Sequence, residues 1–137
     1  MGKLTHLHLA VNAKIGPDFK VLSREKAQEF VNELMRITDM KPLGPLNWSD
    51  AVDLDFPGQS FVQMITTSHC SVHYFSETRE IYFDLYSCKK FNPNEVIELL
   101  DKFFGLEEWH GMLYHRAQDE KPKIKKLQSK MKSKALN

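Results

Sequence analysis

Serine, histidine and cysteine side chains crowd into residues 60–88, where Ser60 precedes the run Ser68-His69-Cys70-Ser71-Val72-His73 and Cys88 closes the stretch. Such a set serves several chemistries. A cysteine beside a histidine base can act as a nucleophile. Histidines two or four apart on a strand lie on one face and can share a metal, as His6 with His8 or His69 with His73. A serine at a tight turn can attack a carbonyl, although Ser68 lacks the flanking glycines of a hydrolase elbow. A strand histidine is more often a hydrogen-bonded side chain than a ligand, so no metal site is expected. On a strand, Ser71 shares a face with His69 and His73, while Cys70, Val72 and Tyr74 face the other way. Cys70 is therefore expected to be a packed, inert thiol.

These residues need a scaffold, and the hydrophobic pattern supplies one. Leu7, Leu9 and Val11 alternate with His6, His8 and Ala10, which predicts a half-buried strand. Ser23 suits a helix N-cap, and Ala27, Phe30, Val31, Leu34 and Ile37 then recur at helical spacing. Residues 41–59 hold three of the six prolines and two of the six glycines, and read mostly as loop. Three strand-like runs follow, at Ser60–Thr66, His69–Phe75 and Glu80–Ser87, with Ser76-Glu77-Thr78-Arg79 as a hairpin connection. Asn92-Pro93 opens a second helix carrying Val96, Ile97, Leu100, Phe103 and Phe104, and Gly105 stops it. Trp109–His115 reads as a last strand. One antiparallel sheet with both helices on one face, an α+β two-layer sandwich, is the expected packing.

The bulk numbers suit a single domain: 137 residues, 42% hydrophobic and 27% charged. No apolar run approaches the roughly 18 residues of a membrane span, and the alternating start does not read as a signal peptide. Reduced cysteines and a cytoplasmic location are the expectation. The net charge of +1 conceals an asymmetry. Seven lysines and no acid lie between Lys121 and Lys134, leaving 12 basic residues against all 18 acidic ones in residues 1–120. The chain thus divides into a body, residues 1–118, and a basic tail, residues 119–137, expected to be a solvated terminus. The tail has no aromatic residue for base stacking, which argues against nucleic acid as a partner.

The spacing of the polar set resembles the centre of the prokaryotic-type S-adenosylmethionine decarboxylases. Ser68, His69, Ser71, His73, Phe75, Glu77, Asp84 and Cys88 fall at that family's intervals without a gap, and Gly58-x-Ser60 matches its upstream glycine and serine. The likeness extends more loosely over residues 4–115. It implies a homodimer acting on S-adenosylmethionine for spermidine synthesis, with a pyruvoyl cofactor made from Ser68 by cleavage at Thr67-Ser68. It further implies that Ser60 and His73 assist this processing and that Cys88 returns a proton to the substrate carbon. Glu77 would accept the ribose hydroxyls, and Phe75 would line the adenosine pocket.

Three positions depart from the family pattern. Thr67 stands where the family has glutamate, Ala10 where it has an acid, and Leu54 near its adenine-stacking aromatic, with Phe56 close enough to substitute. Two alternatives therefore stay beside the main reading. One is a pyruvoyl decarboxylase of another amino acid, such as arginine or ornithine. The other is an uncleaved relative that binds a nucleoside or a partner subunit.

Overall fold

A computed structural model describes residues 4–52 and 55–129. Its elements, in chain order, are β1 (His6–Ile15), α1 (Arg24–Thr38), β2 (Asn47–Ala51), β3 (Gly58–Ile65), β4 (Ser68–Phe75), β5 (Glu80–Ser87), α2 (Pro93–Phe104), β6 (Leu106–Arg116) and β7 (Lys123–Gln128). The seven strands form one sheet in the order β2-β3-β4-β5-β1-β6-β7. Every neighbouring pair is antiparallel.

The helices begin and end for local reasons legible in the residues. The Ser23 hydroxyl accepts from the Lys26 amide and caps α1, and the Asn92 side chain accepts from the Asn94 amide ahead of Pro93 in α2. Gly105, with φ of 68°, ends α2 in the left-handed conformation that glycine adopts without penalty. The apolar stripes of both helices join Leu7, Leu9, Val11, Val72, Phe83 and Leu85 in one core, so both cover the same face of the sheet. Phe30 sits at its centre, with the rings of Phe61, Phe83, Phe103 and Phe104 between 5.4 and 6.1 Å away. The α+β sandwich is the observed architecture, with two more strands than the hydrophobic pattern predicts.

Both additional strands lie at sheet edges. β2 falls within the proline-bearing segment read as loop. It pairs with β3 from Asn47↔Val62 to Ala51↔Gly58, and the Trp48 indole N–H donates to the Leu22 carbonyl at 2.9 Å. β7 falls within the lysine run read as a solvated terminus. It pairs with β6 from His110↔Gln128 to His115↔Lys123, and Leu127 packs against the core. Its lysines sit on the outermost strand, where charge discourages edge-to-edge association. The rest of that run, residues 130–137, lies outside the described residues. Among the described residues no helix is long and apolar enough to cross a membrane.

Two stability outcomes follow from this packing. A Cβ on Gly58 would stand 1.8 Å from the Tyr74 carbonyl oxygen, so Gly58→Ala should force β3 from β4 and cost about 2 kcal/mol or more by thermal melting. Removing residues 121–137 should lower Tm by more than about 5 °C, because β6 loses its paired edge. An unchanged melting curve in either case would contradict the pairing described.

Candidate functional site

The sequence-selected residues form two clusters at opposite ends of β4. At the first, Ile65 pairs directly with Ser68, so Thr66 and Thr67 alone make the β3–β4 turn. Thr67 has φ of 50°, a left-handed conformation that costs a β-branched residue about 1–2 kcal/mol. Ser68 is buried, and its Oγ accepts the Cys88 backbone N–H at 3.1 Å. The Thr67 Oγ1 lies 2.8 Å from the Cys88 Sγ and 2.7 Å from the Thr66 carbonyl oxygen. The Thr67 hydroxyl is the main reason the Cys88 thiol lies below its ordinary pKa; the Ser68 hydroxyl and the Lys89 charge add to it, while partial desolvation opposes it. Asp39, Met40 and Lys41, just beyond α1, join Thr66, Thr67, Ser68, Cys88 and Lys89 around a cavity of about 530 Å³. The Lys89 ammonium donates to the Asp39 carbonyl at 2.6 Å and fixes one wall.

At the second cluster, Ser60 and His73 are cross-strand partners with Oγ and Nδ1 2.7 Å apart. Beside them Phe56, Phe75 and Glu77 line a cavity of about 330 Å³ together with Asp55, Pro57, Glu80 and Tyr82. The rings of Phe75 and Tyr82 meet edge to face at 5.7 Å. Leu54 lies outside the described residues. His73 is five residues along β4 from Ser68, a separation of about 17 Å at the rise of an extended strand. One chain therefore does not bring Ser60 and His73 to the Thr67–Ser68 peptide.

Between the two clusters runs the face of the sheet that carries no helix. His69, Ser71, His73 and Phe75 of β4 point to it, opposite the buried Cys70, Val72 and Tyr74, as alternation predicts. Tyr86, missed in the sequence, stands on it at the Cys88 end: it bonds the His6 Nδ1 at 2.6 Å, its ring lies 5.8 Å from that of His69, and the Arg116 guanidinium lies over it. His8 bonds Asp84 at 2.9 Å. Tyr82, Asp84 and Tyr86 share one period-two face, and that alternation is the signal that marks the two tyrosines. No comparable signal marks Asp39, Met40 and Lys41, which reach the cavity from far upstream. Among the described residues no group of three His, Cys, Asp or Glu side chains converges as metal ligands.

Comparison with known proteins identifies the family and the fold. The family model for S-adenosylmethionine decarboxylase matches residues 7–117. The chain belongs to that family, and its function is S-adenosylmethionine decarboxylase-like, within a carboxy-lyase class. Its fold is similar to that of the adenosylmethionine decarboxylase from Aquifex aeolicus, with a TM-score of 0.67 at 15% identity over 88% of this chain and 98% of that one. No curated protein matches the chain.

The two thiols should behave oppositely. Burial pushes Cys70 up to about 12, whereas Cys88 is partly exposed and shifted down. Iodoacetamide at pH 7.5 should modify Cys88 and spare Cys70 in the folded protein, as peptide mass mapping would show. Equal labelling of both would contradict the burial of Cys70.

Proposed function

We propose that this chain is a pyruvoyl-dependent S-adenosylmethionine decarboxylase that works as a homodimer in the cytoplasm and supplies the aminopropyl donor for spermidine synthesis. The observation that carries the reading is the contact of Cys88 with the Thr67–Ser68 turn, a thiol within 2.8 Å of the residue before the precursor serine. The residues fit the formation of a pyruvoyl group. Ser68 Oγ is held by the Cys88 amide at the lip of a cavity, and the peptide before it carries a strained residue.

Attack of the Ser68 hydroxyl on the Thr67 carbonyl exchanges the peptide bond for an ester. Removal of the Ser68 α-proton then releases the upstream chain as the Thr67 carboxylate, and hydrolysis of the dehydroalanine left behind gives the pyruvoyl group and ammonia. His73, oriented by Ser60, assists this processing. A pyruvoyl group formed at position 68 would supply an electron sink for loss of carbon dioxide from the substrate, and the β3–β4 turn beside Cys88 would hold it. Cys88 holds the proton destined for the substrate carbon, and the Thr67 hydroxyl keeps its sulfur in place. Glu77 accepts the ribose hydroxyls, and Phe75 and Phe56 offer flat surfaces to the adenine.

A second copy supplies what one chain separates. The helix-free face exposes Val62, Met64, Tyr82, Met112 and Ile124, an apolar set that a stacked sheet would cover. A two-fold axis between two such sheets, running across the strands, turns the partner end for end. It lays Ser60, His73 and Glu77 of one copy against Thr67, Ser68 and Cys88 of the other. His73→Ala and Ser68→Ala chains should each stay intact alone. Mixed after unfolding and refolding together, they should regain cleavage in the His73→Ala chain, because its Ser68 meets the other chain's His73. Intact mass should show two wild-type fragments of similar size and light scattering a dimer. A wild-type chain that stays whole for days at neutral pH would overturn the reading and leave the uncleaved, ligand-binding alternative.

A further inference from the structure

The Thr67 hydroxyl lies between two groups that compete for its single proton. The Thr66 carbonyl oxygen can only accept, at 2.7 Å. The Cys88 sulfur, at 2.8 Å, donates as a thiol and accepts as a thiolate. When the hydroxyl donates to the carbonyl, its oxygen is free to accept the thiol proton. When Cys88 loses that proton, rotation about the Cβ–Oγ1 bond turns the hydroxyl to the sulfur, and the carbonyl returns to solvent.

The left-handed φ of Thr67 places its side chain at the end of β5, where Cys88 begins the next loop. The Cys88 backbone N–H is itself held by Ser68 Oγ, so both ends of the residue are fastened to the turn. The Thr66 carbonyl accepts from the Cys88 thiol only at 4.0 Å, a much longer contact than the 2.8 Å one to the Thr67 hydroxyl. We propose that Thr67 is the positioning residue for Cys88, its hydroxyl switching between the Thr66 carbonyl and the sulfur so that one side chain serves both the thiol and the thiolate. In the uncleaved chain a carboxylate side chain at position 67 would repel the thiolate, whereas the hydroxyl stabilises it; the lowered thiol pKa agrees with that sign.

The role of Cys88 as proton donor rests on the function proposed above, but the hydrogen-bond switch does not, and it can be measured without turnover. The test uses the full-length chain with Ser68→Ala, which cannot be processed, and compares three residues at position 67: threonine, valine and serine. Valine keeps the β-branched shape, and with it the backbone strain, while removing the hydroxyl; serine restores the hydroxyl. The readout is the rate of Cys88 alkylation by iodoacetamide from pH 6 to 10, with a Cys88→Ala chain as background for Cys70. Thr67→Val should raise the apparent pKa by about half a unit or more and slow alkylation about threefold or more at pH 7.5; Thr67→Ser should return both to the threonine values. A valine profile that superimposes on that of threonine would overturn the proposal, as would a serine profile that follows valine. Equal melting temperatures across the series separate loss of the hydrogen bond from loss of the fold. Absence of decarboxylase activity in the wild type would leave this result unaffected, so the two failures are distinguishable.

Discussion

The antiparallel register that runs through β3, β4 and β5 sets the geometry of everything that could do chemistry here. Ile65↔Ser68 closes a two-residue turn, His69↔Tyr86 aligns β4 with β5, and the chain leaves β5 so that Cys88 meets Thr67. A slip of one residue would exchange the faces of the strand. Ser71 and His73 would enter the core, and Cys70 and Val72 would face solvent. The cost of burying histidine while exposing valine makes that slip unfavourable, so the same hydrophobic pattern that builds the core also places Ser68 and Cys88 together.

The two faces of the sheet have divided the work. Helices α1 and α2 cover one, and the apolar core buried there, Phe30, Phe83 and Leu85 among its members, supplies most of the driving force for the fold. The other face is free to carry histidines, tyrosines, Asp84 and Arg116, many of them bonded to each other rather than to the core. Polar side chains on this face cost little while it is solvated. They become informative once a partner or substrate removes the water, because each then needs the hydrogen bond it makes. The separation of the Ser60–His73 pair from the Thr67–Ser68 peptide follows directly from strand length and cannot be shortened by side-chain rotation.

The two cysteines show how far environment outweighs residue type. Cys70 is fully buried between strands and kept protonated by desolvation. Cys88 lies beyond a strand end among hydroxyls and a lysine, which favour the opposite shift. Both are thiols of a chain without disulfides among its described residues, and only their places in the sheet distinguish a packing group from a reactive one.

Much of this molecule is written in local pattern. The caps at Ser23, Asn92 and Gly105, the helical stripes, the alternation of β1, β4 and β5 and the opposite facing of Cys70 and His73 all depend on residues within a turn or strand of one another, and all are present as the pattern predicts. The spacing from Ser60 to Cys88 likewise carried the family. Edge strands β2 and β7 escaped because neither has an apolar alternation of its own: Asn47–Ala51 and Lys123–Gln128 become strands by pairing with β3 and β6, which is a long-range event. The cavity beside Ser68 draws Asp39, Met40 and Lys41 from a distant part of the chain, and the Thr67–Cys88 contact joins residues 21 apart. Spacing along a chain gives residue types and faces, but distances across strands exist only after the register has closed. That is why the sequence places Ser60, His73, Ser68 and Cys88 in one set, and only the folded sheet divides them into two.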